Sequence, residues 1–177
     1  MAISLQLTVA CACGVLLAGF PAGAATPRTL TAQIDRVSDG DTVITTTPNG
    51  TKLRLRLLGI DAPEIAHGGK PGQPYGDEAR QYLDHLIGGK IVQVEAHGPD
   101  QYKRVLAVIF DDQVNVNLLM VAMGYAEVYR GAPCQAYCED LYRAEVKARR
   151  DRVGMWAQGA RYESPRAYRQ RMRIRGN

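Results

Sequence analysis

Apolar and polar residues alternate strictly over Lys52-Leu53-Arg54-Leu55-Arg56-Leu57. That period of two predicts a strand with Leu53, Leu55 and Leu57 on the core side and Arg54 and Arg56 on the opposite side. Before it, residues from about Leu30 to Val37 and from Thr42 to Thr47 read as two more strands, the second rich in β-branched residues. Asp39-Gly40-Asp41 marks a turn between these two, and Pro48-Asn49-Gly50 a hairpin turn into the alternating strand, with Asn-Gly suited to positive φ. Gly59 to about Pro74 is a long loop, rich in glycine and proline from His67 onward. Asp77 to Ile87 carries Ala79, Leu83, Leu86 and Ile87 on one helical face and is stopped by Gly88-Gly89. Ile91–Glu95 and Val105–Phe110 read as further strands around a polar turn at Gly98-Pro99-Asp100. Val116–Met123 reads as a short apolar helix ended by Gly124, and Glu139 to about Arg150 as an amphipathic one.

Three strands, a helix, two strands and further helices fit a small, partly open α+β barrel of the oligonucleotide-binding (OB) type. A length of 177 residues is consistent with one core, and an apolar fraction of 46% excludes wholesale disorder.

The first 25 residues stand apart. They hold no charge, interrupt their apolar run with two glycines and a proline, and end in Ala22-Gly23-Ala24. This pattern predicts a signal peptide over residues 1–24, although a basic segment before the apolar run is missing. A retained membrane anchor is the alternative, but the uninterrupted run is short for a bilayer span. The expected location is secreted or periplasmic, with no stable membrane span once the leader is removed.

Cys11 and Cys13 would leave with the leader, whereas Cys134 and Cys138 remain four residues apart. Two cysteines at that spacing within one regular helix are hard to bridge; with Pro133 beside it, Cys134 is placed just before a helix start, where bridging is easier. In an oxidising compartment the pair closes a small loop. Two free thiols are the alternative; a metal site is disfavoured because no second Cys/His cluster accompanies them.

The net charge of +4 is unevenly distributed. From Arg161 onward six arginines face one glutamate, a local balance of +5, so the rest of the chain sums to about −1. This basic tail over residues 158–177 would attract nucleic acid or another anionic surface in a salt-sensitive way, or serve as a disordered solubilising end.

Three segments carry candidate chemistry: Asp39-Gly40-Asp41-Thr42, Arg56-Leu57-Leu58-Gly59-Ile60-Asp61-Ala62-Pro63-Glu64, and Asp100-Gln101-Tyr102-Lys103-Arg104. Each alone is a turn, a cap or a solvated strand face. If the second and third strands pair, however, Asp41 at the start of one lies near Asp61 and Glu64 beyond the end of the other. Carboxylates brought together are costly unless a cation sits between them, and oxygen ligands without His or Cys favour calcium or magnesium. Arginines nearby suit a phosphate, which they grip through paired hydrogen bonds. His67, His85 and His97 lack metal-ligand spacing and read as surface residues.

These segments, with Tyr75-Gly76-Asp77-Glu78-Ala79, Val114-Asn115, Gly124-Tyr125-Ala126 and Trp156 after Gly154, resemble the signature of the staphylococcal nuclease family from about Leu30 to Trp156. The resemblance implies a nuclease domain over residues 30–157, a five-stranded OB-type barrel with three helices, acting as a monomer on single-stranded DNA and RNA. It implies calcium held by Asp41, Asp61 and the main-chain carbonyl of Ala62. It makes Glu64 the residue that orients or deprotonates the attacking water. Arg56 and Arg104 become the pair that stabilises the phosphoryl transition state, and Tyr102 a contact to a terminal phosphate. Two positions depart from the family pattern: Ala62 stands where a threonine is frequent, and Lys103 where a small residue, often glycine, precedes the arginine. The competing expectation is a non-catalytic nucleic-acid-binding module on the same barrel, although the chain keeps all five charged side chains of the site.

Overall fold

A computed structural model describes residues 27–131 and 134–175. The leader expected over residues 1–24 lies outside these. Strands β1 (Arg28–Asp39), β2 (Thr42–Thr46) and β3 (Lys52–Leu57) form an antiparallel meander. A two-residue strand, β4 (Ile60–Asp61), precedes helix α1 (Gly76–Ile87). Strands β5 (Ile91–Pro99) and β6 (Val105–Asp111) follow, then β7 (Val114–Asn115), helix α2 (Val116–Ala122) and β8 (Glu127–Val128). Helix α3 (Cys138–Asp151) and helix α4 (Pro165–Arg175) complete the chain, with 3-10 segments at Gln135–Tyr137 and Gly154–Arg161.

The sheet runs β3-β2-β1-β5-β6, and a parallel pairing of β3 with β6 (Leu55↔Val105 to Leu57↔Ala107) closes it into a five-stranded barrel. Strand β1 serves two neighbours, pairing with β5 through its first half and with β2 through its second. The register slips between Ile34 and Arg36, and the buried positions accordingly move from Ala32 and Ile34 to Val37. Such a bulge adds the twist that a small barrel needs to turn its corner. Leu55, Leu57, Val92, Val94, Ala107 and Ile109 point inward, and Ala79, Leu83 and Ile87 of α1 join them in one core. The inward leucines of the alternating strand are as expected, except that Leu53, near its open end, is only half-buried.

The hairpin turn differs from the expected one. Residues 47–51 make a longer loop in which Gly50 alone has positive φ (82°) and its N–H reaches the Thr47 carbonyl at 2.8 Å. Four α-helices occur among the described residues, against three expected. The additional one is α4, in the basic tail, where Ser164 Oγ accepts a hydrogen bond from the Ala167 N–H (3.2 Å) and Pro165 stands at the first helical position. Both are established helix-start signals. Cys134 and Cys138 form a disulfide with Cα atoms 4.9 Å apart, Cys134 preceding the helix as the spacing argument requires. No helix among the described residues is long and apolar enough to cross a membrane.

One buried polar side chain ties the barrel to the loop that leads to Asp61. Asn117 of α2 donates to the carbonyls of Leu58 and Ala107 (3.0 Å each) and accepts from the Ile109 N–H at 3.1 Å. Replacing Asn117 with Ala removes three hydrogen bonds from buried backbone and is predicted to cost on the order of 3 kcal/mol. Urea unfolding checks this; a loss below about 1 kcal/mol, the net worth of one ordinary hydrogen bond, would contradict the role assigned to Asn117.

Candidate active site

Asp41 ends the turn between β1 and β2, and backbone packing sets its place. A Cβ on Gly40 would lie 2.6 Å from Ala62 Cβ and 2.8 Å from Ala79 Cβ, so only glycine lets this turn rest on the Ala62 loop and on α1. The Asp41 carbonyl accepts from the Leu57 N–H (2.8 Å), locking the turn to the end of β3. The Asp41 carboxylate accepts from the Ala62 N–H at 2.9 Å and from the Thr42 hydroxyl at 3.1 Å. Asp61 belongs to β4, paired with β8 through Ile60↔Val128 and Asp61↔Glu127. Both aspartates are buried, Asp61 at 1% exposure.

Arg56 leaves the outer face of β3 and bridges the two. Its guanidinium forms an ion pair with Asp41 and donates to Asp61 Oδ1 at 2.9 Å and to the Ile60 carbonyl at 3.4 Å. Burial draws the Arg56 pKa below the ordinary arginine range. Asp61 and Asp39 oppose that effect, and the nearby charge of Arg104 adds to it.

Glu64 is held by its main chain. Its carbonyl accepts from the Gln73 N–H (2.7 Å), and its N–H donates to Gln73 Oε1 (3.3 Å). A Cβ on Gly76 would fall 2.3 Å from the Glu64 carbonyl oxygen, so a side chain at the start of α1 would push the loop away. The Glu64 side chain is 38% exposed, which leaves its carboxylate within reach of solvent.

The remaining expected residues sit on one turn. Asp100 accepts from the N–H groups of Tyr102 (2.8 Å) and Arg104 (2.9 Å), and its other oxygen receives Arg104 Nε at 2.8 Å. The Arg104 guanidinium lies 5.4 Å from the centre of the exposed Tyr102 ring. The β3–β6 pairing carries Arg104 alongside the strand that holds Arg56, but its bonds go to Asp100 rather than to Asp41, Asp61 or Glu64. Lys103 has φ of 62°, the left-handed region that favours glycine. The turn therefore requires the backbone conformation for which a glycine is suited, and a lysine adopts it here at some strain.

Two charged residues of the cluster escaped the sequence reading. Arg169 of α4 donates to Asp61 Oδ2 (2.7 Å), Asp61 Oδ1 (3.0 Å) and Glu64 Oε1 (2.6 Å). Burial works against its charge, but Asp61 and then Glu64 outweigh burial and raise its pKa. Glu127, opposite Asp61, is 9% exposed and accepts a hydrogen bond from the Tyr162 hydroxyl. Burial raises the Glu127 pKa; the Tyr162 hydrogen bond lowers it and the charge of Asp61 raises it further. A signal for α4 was present in Ser164-Pro165, but nothing local distinguishes Arg169 from its neighbouring arginines.

Among the described residues no three His, Cys, Asp or Glu side chains are placed to hold a metal ion by themselves. The carboxylates on hand are Asp41 and Asp61, with the Ala62 main chain tied to Asp41 through its N–H. That oxygen-only set fits a hard divalent cation which completes its shell with water. The two guanidinium groups drawn onto these carboxylates show the same demand for positive charge.

A closed OB-type barrel with carboxylates and arginines gathered at the end of β3 defines the class of this protein. Residues 54–158 match the family described as staphylococcal nuclease homologue, and the chain belongs to that family. Curated relatives named "Probable endonuclease LCL3" include one from Colletotrichum graminicola, 39% identical over 130 residues, covering 69% of this chain and 48% of the relative. The relative of the same name from Clavispora lusitaniae is 34% identical over 166 residues, covering 78% and 71%. That from Candida tropicalis is 39% identical over 131 residues, covering 70% and 55%. The chain thus spans about half to seven-tenths of the length of these relatives.

The raised pKa of Glu127 has a consequence for stability. The folded state favours the neutral acid, so this group's contribution is full below the unfolded pKa of about 4.3 and is lost as pH rises through the folded value. Glu127→Gln, neutral at every pH, is therefore predicted to be more stable than the parent at pH 7, with the difference gone by about pH 4. Urea midpoints in the presence of chelator test this, and a variant weaker than the parent at pH 7 would contradict it.

Proposed function

We propose that this chain is a calcium-dependent phosphodiesterase that hydrolyses single-stranded DNA and RNA. The observation that carries the reading is the meeting of Asp41, Arg56, Asp61 and Glu64 at one end of the barrel. Family membership and the relatives' names support a nuclease, and the oxygen-only donor set supports calcium.

In this reading Asp41, Asp61 and the Ala62 carbonyl hold the ion, which when bound polarises a phosphoryl oxygen as a Lewis acid. Glu64 accepts a proton from water as the water oxygen bonds to phosphorus and the phosphorus–ester oxygen bond breaks; the departing oxygen takes its proton from solvent. Arg56, fixed by Asp61, donates to the phosphoryl oxygens on which charge builds. Arg104 joins it by leaving Asp100 for the phosphate, with Tyr102 beside it at the outer end of the strand. We further assign the first 24 residues to export, in keeping with the Cys134–Cys138 disulfide.

Cleavage of a fluorescent single-stranded oligonucleotide is predicted to require calcium and to stop in excess chelator. Glu64→Gln should slow turnover at least about a hundredfold while the strand still binds. Near-normal turnover in a folded Glu64→Gln protein would show that the site is wrong, and binding without cleavage by the parent would favour the non-catalytic module. Export is tested separately: protein recovered outside the cytoplasm should begin at Ala25, with Cys134 and Cys138 unreactive to alkylation until reduced. A retained leader or freely labelled thiols would reject it.

A further inference from the structure

The carboxylates assigned to the cation are already engaged by the protein's own C-terminal helix. Arg169 contacts both oxygens of Asp61 and one oxygen of Glu64. Arg56 already occupies Asp61 Oδ1, so a second guanidinium spread over both Asp61 oxygens fills most of that carboxylate's acceptor positions and sets positive charge where a cation would sit, and it also covers the residue assigned to activate water. The segment is seated deliberately. Gln73, which holds the Glu64 backbone, donates its other end to the Glu163 carbonyl at 2.6 Å. The Tyr168 hydroxyl donates to the Pro71 carbonyl, with the Tyr168 ring buried to 6% exposure. Arg171 lies 4.9 Å from the centre of that ring and forms an ion pair with Glu163 at 2.6 Å.

We propose that helix α4 is a latch on the active site: Arg169 takes the place of the divalent cation on Asp61, so the docked helix and bound calcium exclude one another. The inference rests on the reading of Asp61 as a cation ligand. The hold of α4 is mainly polar, and the Arg169 side chain is 31% exposed, so release strips away ion pairs and one aromatic side chain without opening the barrel core. Once released, the arginines of α4 face solvent at the mouth of the site, where an anionic strand arrives. Binding of calcium then carries the cost of undocking, and its apparent affinity falls by the fraction of molecules in which the site is free.

The test uses calcium alone as probe, on the full mature chain without nucleic acid. Titration calorimetry should show Arg169→Gln binding calcium about tenfold or more tighter than the parent, the factor by which a closed latch hides the site. Tyr168→Phe, which removes the hydroxyl that holds Pro71, should shift affinity the same way by a smaller factor. Arg166→Gln makes the same charge change on an exposed part of α4 and should leave the affinity within about twofold, which separates the latch from a general effect of net charge. In the parent, calcium should speed amide hydrogen exchange across residues 167–173. Calcium bound equally by parent and Arg169→Gln, with exchange in α4 unchanged, would overturn the latch and leave the cation site standing. Calcium bound by neither would remove the cation site and the latch with it.

Discussion

Asp41 and Asp61 are buried side by side, and the rest of the site follows from the need to neutralise them. Two carboxylates withdrawn from water repel one another and lose solvation, so each must gain a cation or hydrogen-bond donors. Arg56 supplies positive charge to both, and the Ala62 N–H and Thr42 hydroxyl supply donors to Asp41. Such an arrangement is weak evidence for stability, since buried ion pairs often contribute little net energy. Its worth is positional. It concentrates negative charge at one point on the barrel rim, supported by close backbone packing at Gly40 and Gly76 and by the buried Asn117 side chain.

The same demand explains the C-terminal helix. An arginine from a segment more than a hundred residues away closes on Asp61 and Glu64 and supplies them with further positive charge. The proposed cation site and the proposed arginine latch would be two answers to one electrostatic problem, which is why they would compete. Within the basic tail, one arginine is committed to the site and another to Glu163.

Much of this was legible in the sequence, for physical reasons. Strict alternation over Lys52–Leu57 identifies β3 to the residue, helix α1 follows from its apolar face and the Gly88-Gly89 stop, and α3 from its amphipathic pattern. Asp41, Arg56, Asp61 and Glu64 could be grouped because they lie on a hairpin and its exit loop, where pairing register alone brings them together. Arg169 and Glu127 could not, because their neighbours in the site are distant in sequence and no periodicity announces them. Arg104 shows a different limit: the family resemblance assigned it to the site, but only the structure reveals that it is paired with Asp100. The parallel β3–β6 pairing that closes the barrel is likewise a long-range contact that alternation cannot indicate.

The buried pair of Asp41 and Asp61 is the proposed cation site. Thermal unfolding of the parent and of Asp61→Asn, each measured across a calcium series, tests it most directly. A ligand that binds only the folded state raises stability with its concentration, by about 2.7 kcal/mol at a hundred times its dissociation constant. The parent midpoint should therefore climb steadily with calcium, while that of Asp61→Asn stays flat. Equal calcium dependence in the two proteins, or none in the parent, would contradict the account.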